Sequence, residues 1–158
     1  MYEKFGQFID GKWQASSSKE TYEVINPANE EVIGRASKAT PEDVDRALKS
    51  AEKGLEVWKK TSPWKRSSVI RKIADLIRAK QDVLAKWMTL EVGKPFPEGK
   101  GEVGATADIF EWNSEETKRI YGQTVESRFE DTRIHVYYQP VGVVAALSPW
   151  NFPLVLSG

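Results

Sequence analysis

Residues 140–154 read PVGVVAALSPWNFPL, and this stretch restricts the possible folds more than any other part of the chain. Val141, Val143, Val144, Ala145, Ala146 and Leu147 form an apolar, partly β-branched run with no polar alternation. A strand buried on both faces of a parallel sheet has this pattern. Ser148-Pro149 ends the run, because proline cannot donate to a ladder and biases its predecessor away from helix. The expectation is an α/β fold in which a buried strand stops at a turn, and in open α/β sheets ligands bind outside the carboxyl ends of such strands.

That turn delivers Trp150, Asn151 and Phe152 together, with Pro153 fixing the backbone behind them. An asparagine amide carries two N–H donors and no charge, so held rigidly it can stabilise a carbonyl oxygen that becomes an oxyanion. Trp150 and Phe152 offer flat apolar walls beside it. Asn151 has a second use, as a turn residue whose side chain bonds its own backbone, and the stretch alone leaves both open.

Charge narrows the function classes. The 158 residues carry 23 basic and 23 acidic side chains, evenly spread, which leaves no electrostatic footprint for nucleic acid or an anionic membrane. No apolar run reaches the roughly 18 residues that would span a bilayer, and the N-terminal residues 1–13 lack the apolar core of a secretion signal. A soluble, cytoplasmic protein is expected. The sequence has no cysteine, so it offers neither a disulfide framework nor a thiol nucleophile. His135 is its one histidine and has no partner at metal-ligand spacing, so no metal site is expected. The apolar residues at 152–156 run almost to Gly158, whereas termini are usually polar and exposed, and a truncated chain is expected.

Upstream, the elements are punctuated by strong local signals. Asp10-Gly11 between short apolar arms predicts a type I′ hairpin. Val24 and Ile25, then the Asn26-Pro27-Ala28-Asn29 turn, then Val32 and Ile33 predict a second hairpin. Thr40-Pro41 followed by two acids, and Ser62-Pro63, each predict a helix start. Val44, Leu48, Ala51, Leu55 and Trp58 give the first helix an apolar face, and Val69, Ile70, Ile73, Ala74 and Ile77 give one to the second. A third helix over 82–91 stops at Gly93-Lys94-Pro95, where Lys94 reads as a cation serving the helix dipole. A fourth covers 98–120, weakened near its start by Gly101 and Gly104. Alternation over 133–139 predicts a half-buried antiparallel strand that pairs with residues 124–126.

PVGVVAALSPWNFPL closely resembles the P-x-G-V-x-x-x-x-(S/T)-P-W-N-F-P-(L/M) stretch of the NAD(P)-dependent aldehyde dehydrogenase superfamily. FIDGKW, NPANEEVI and EVGKP are similar to its amino-terminal arm and to its E-x-G-K-P element. The resemblance covers essentially the whole chain but only the leading third or so of a family member. It implies an α/β fold comprising helices, the start of a Rossmann-like parallel sheet, and the β-hairpin of a small oligomerisation domain. Residues 1–123 would be the arm and the helical part of the cofactor-binding domain, 124–139 the oligomerisation hairpin, and 140–158 the first strand and start of the dinucleotide-binding core.

The chemistry so implied is oxidation of an aldehyde to a carboxylic acid by NAD or NADP through a cysteine thiohemiacetal, with Asn151 stabilising the oxyanion. Leu147, Ser148, Pro149 and Trp150 would line the cofactor site. Phe152, Trp112 and Asn113 would contact the substrate, Asn113 standing where the family usually has an aromatic. The substrate would be a small aldehyde such as succinate semialdehyde, and the assembly a homodimer or homotetramer. The cysteine and the water-activating glutamate would lie beyond residue 158, so the chain alone is expected to be inactive. The alternatives are a CoA-acylating or other semialdehyde dehydrogenase of the same superfamily, and a non-catalytic module that pairs its hairpins with another subunit.

Overall fold

The computed structural model describes residues 6–157; residues 1–5 and Gly158, which the domain reading above includes, lie outside the described residues. The chain opens with strands β1 (Gln7–Ile9) and β2 (Lys12–Gln14), paired antiparallel with Phe8 opposite Trp13. Asp10 and Gly11 both have positive φ, 55° and 73°, as a type I′ turn requires. The two rings pack at 5.2 Å between centroids. Strands β3 (Thr21–Ile25) and β4 (Val32–Ser37) form the second expected hairpin, with an irregularity between Val24 and Ile25.

Four helices follow. Helix α1 (Pro41–Trp58) starts at a full capping box, in which the Thr40 hydroxyl accepts from the Asp43 N–H and Asp43 accepts from the Thr40 N–H. Helix α2 (Pro63–Ala79) starts at Ser62, whose hydroxyl accepts from the Lys65 N–H. Helix α3 (Gln81–Val92) ends at Gly93 in the left-handed region, φ 72°. Helix α4 (Phe96–Glu116) runs straight through Gly101 and Gly104 and continues as a 3-10 turn at Thr117–Arg119.

The core lies where α2 and α3 pack against α4. Its buried residues are small or flexible: Ala74, Ala85, Met88, Val103 and Ala107. Small side chains let the helix axes approach, and Gly99 shows how closely: a Cβ there would sit 3.2 Å from the Ala85 carbonyl oxygen. Arg78 of α2 clasps Asp108 and Glu111 of α4. Helix α1 stands apart from this packing, and its Val44 and Leu48 remain about half exposed.

Two expectations require correction. Strands β5 (Gln123–Glu126) and β6 (Arg133–Val136) pair as predicted, but all their residues are exposed, so the alternation of β6 does not mark a buried face. The 140–147 run, predicted to be a buried parallel strand, forms no ladder, and Leu147 is 93% exposed. A β-branched run can satisfy its backbone as a strand only beside another strand. All three sheets among the described residues are separate two-stranded antiparallel hairpins, and none extends to it.

Candidate active site

Residues 150–157 fold as consecutive turns and bends that follow the 140–149 stretch, which has no regular secondary structure. Ser148 Oγ donates to the Pro153 carbonyl at 3.0 Å, closing a loop with Trp150, Asn151 and Phe152 at its crest. Ser157 Oγ donates to the Pro153 and Leu154 carbonyls, at 3.1 and 3.2 Å, and tightens the far side. The loop is therefore braced at both feet by its own serines.

The loop is also fastened to α4. Glu102 Oε1 accepts from the Leu154 N–H at 2.9 Å and from the Val155 N–H at 3.3 Å. Its Oε2 accepts from Lys94 Nζ. The Glu102 side chain is 1% exposed, so the carboxylate is taken out of water and its acceptors are spent on this cluster. Burial pushes the Glu102 carboxyl up, but the Lys94 ammonium and the two backbone N–H groups outweigh it and hold the group below the usual glutamate range. Lys94 reaches this position because Gly93 reverses the chain after α3. The same ammonium lies 4.1 Å from the centre of the Phe152 ring. Lys94 thus does more than serve a helix dipole. It joins α4 to the residue after Asn151.

Asn151 itself is exposed, and its amide has no hydrogen-bond partner among the described residues. The side chains of the other three asparagines each make at least one hydrogen bond to main chain, and Asn29 also donates to Glu31 Oε2 at 2.8 Å. Asn26 accepts from the Ala28 N–H at 3.0 Å, Asn29 accepts from the Glu31 N–H at 3.2 Å, and Asn113 donates to the Ile109 carbonyl at 3.0 Å. Leu147, Ser148, Pro149 and Trp150 lie exposed beside Asn151 in one continuous strip. Three of the four are apolar and none carries a charged side chain.

Trp112 and Asn113 stand apart from this cluster. They follow Glu102 along α4 by about 15 Å of helical rise. Trp112 is 70% exposed, and no hydrogen bond or ring contact ties either residue to the 150–157 turns among the described residues. Several clefts lie elsewhere, among them one of about 510 Å³ on α1 beside Glu52, Leu55 and Glu56. One of about 420 Å³ separates the β1–β2 hairpin from α1, flanked by Trp13, Arg46, Lys49 and Lys53. Another of about 350 Å³ lies between Tyr121 and Tyr138. Among the described residues no group of three or more His, Cys, Asp or Glu side chains converges as a metal site would, and no helix is long and apolar enough to cross a membrane.

Glu102 is the site residue that sequence reasoning missed. Its partners lie 8, 52 and 53 residues away, so no local pattern marks it. The one available signal was a charged residue between Gly101 and Val103 on the side of α4 that packs inward.

Comparison with known proteins places this geometry in context. The model of the aldehyde dehydrogenase family matches residues 13–158. A glutarate-semialdehyde dehydrogenase of Pseudomonas aeruginosa is 42% identical over 146 residues, covering 92% of this chain and 30% of that protein. The NADP(+) succinate-semialdehyde dehydrogenase of Escherichia coli is 39% identical over 148 residues, covering 94% and 31%. Among solved structures, a succinate-semialdehyde dehydrogenase from Burkholderia pseudomallei superposes with TM-score 0.90 at 38% identity, over 94% of this chain and 31% of that one. The chain thus spans about 30% of the length of the curated relatives it matches.

Proposed function

Because the chain belongs to the aldehyde dehydrogenase family, we propose that the protein carrying it oxidises a small aldehyde to a carboxylic acid with NAD⁺ or NADP⁺, Asn151 stabilising the oxyanion. The observation that carries this reading is the contrast among the asparagines. A turn-forming asparagine ties its side-chain oxygen to a nearby backbone N–H, as Asn26 and Asn29 do, whereas among the described residues no hydrogen bond ties the Asn151 side chain to its own backbone, and it stands on a braced loop. The braces fix the backbone that carries the amide, which reduces the reorganisation needed to aim a donor at a carbonyl oxygen as negative charge develops on it.

The attacking group is a cysteine thiolate supplied from outside these 158 residues, which contain no cysteine. The cofactor, when bound, accepts the hydride. Leu147, Pro149 and Trp150 present the apolar faces against which its nicotinamide end would lie, and Phe152 is a wall for the aldehyde. Trp112 and Asn113 would tune the aldehyde from further along α4. The named relatives act on glutarate and succinate semialdehydes, and a small semialdehyde is the substrate proposed here. A cytoplasmic homodimer or homotetramer, with β5–β6 as its subunit contact, completes the reading. It is supported by the exposure of every residue in those two strands.

Asn151→Ala in the protein of family length tests this directly. It lowers kcat at least ~100-fold and leaves cofactor affinity nearly intact. A drop of less than about tenfold in kcat would reassign Asn151 to shaping the turn.

A further inference from the structure

The Glu102–Lys94 pair is unusual in what it holds. Buried ion pairs often add little net stability against well-packed apolar residues of similar size, so a retained one invites a reason other than stability. Here the reason lies in the partners. One carboxylate oxygen faces the lysine, and the other collects two successive backbone N–H groups, Leu154 and Val155, three and four residues beyond Asn151. The lysine in turn lies over the ring of Phe152, the residue directly after Asn151. The segment on the carboxyl side of the asparagine is thereby held at three points: the Phe152 ring by Lys94 of the α3–α4 connector, and the Leu154 and Val155 amides by Glu102 of α4.

We infer that Glu102, charge-balanced by Lys94, is a positioning residue that sets the direction in which the Asn151 amide points. This rests on the reading of Asn151 as the oxyanion donor. Ser148 fixes the loop to itself, which preserves its shape but not its aim. Glu102 is what refers that shape to the body of the molecule. A glutamine at 102 keeps the size and one carbonyl acceptor but loses the charge that faces the lysine. An aspartate keeps the charge but is one methylene too short to reach both amides.

Two measurements separate this inference from the reading beneath it. In the 158-residue chain, Glu102→Gln and Glu102→Asp raise amide hydrogen exchange at Leu154 and Val155 at least about tenfold relative to the α4 amides of Val103 and Ala107. Equal exchange in variant and parent overturns the docking, whatever Asn151 does. In the protein of family length, Glu102→Asp lowers kcat at least about tenfold with KM and cofactor Kd unchanged, the mark of misplacement within an intact site. A kcat within twofold of the parent, or a loss matched by a loss of folded protein, overturns the positioning role. If Asn151→Ala leaves kcat unchanged while the exchange result holds, the oxyanion reading fails and the docking stands.

Discussion

Asp43 shows at the scale of one residue how this chain assembles its N-terminal half. It closes the capping box of α1 and also accepts from Gln7 Nε2 at 3.2 Å, Ser16 Oγ at 2.9 Å and the Ser17 N–H at 3.2 Å, while pairing with Arg46. A helix cap thereby becomes the anchor of the first hairpin. The hydrogen bond from the Thr40 N–H, followed by those from Ser16, Gln7 and Ser17, outweighs the opposing effect of burial and holds its carboxyl well below the ordinary aspartate value of 3.8. A depressed folded pKa contributes stability that is complete above the unfolded value and is lost as pH falls below it. The urea midpoint of the parent chain therefore declines as pH drops below about 4. Asp43→Asn has a lower midpoint at neutral pH and a flatter acid decline. Identical slopes for the two proteins would show that Asp43 is not the linked group.

Between elements, the decisive joint is the one after α3. Gly93 adopts φ 72°, and a Cβ there would sit 3.2 Å from Pro27 Cγ in the turn of the second hairpin. Gly93→Ala is expected to cost about 1–2 kcal/mol in urea-induced unfolding from the backbone conformation alone, and it tilts Lys94 away from Glu102. A stability equal to the parent would contradict the reversal as drawn. This joint also marks how far the sequence could be read. Gly93, Thr40-Pro41, Ser62-Pro63 and Asp10-Gly11 act over a few residues, and each formed the cap or turn expected of it. The hairpin of β5 with β6 was legible from alternation, but its burial was not, because alternation reports a preference for a face and not what covers that face. The 140–147 run carries strand propensity with no ladder partner among the described residues, and propensity cannot supply one. For the site, the crest residues Trp150, Asn151 and Phe152 could be named from the sequence. The Glu102 clamp beneath them could not, since its contacts span about fifty residues.

Taken as a whole, the molecule joins a small helical core to segments that it leaves open. Leu147, Trp150, Tyr137 and Tyr138 are all well exposed, and the strip proposed for the cofactor ring is one of these open segments. The 158-residue chain has no cysteine, so it has no thiolate to attack an aldehyde. Mixed with succinate or glutarate semialdehyde and NAD⁺ or NADP⁺, it is expected to give no rise in reduced-nicotinamide absorbance above the protein-free rate. A sustained rise would refute the cysteine-dependent account. The measurement that bears most directly on the central claim is a double-mutant cycle on kcat in the protein of family length, combining Asn151→Ala with Glu102→Asp. If Glu102 acts by aiming Asn151, the double variant is about as slow as Asn151→Ala alone, because the aim no longer matters once the amide is gone. If the two losses multiply, the residues act independently and the account of a clamped oxyanion donor is contradicted.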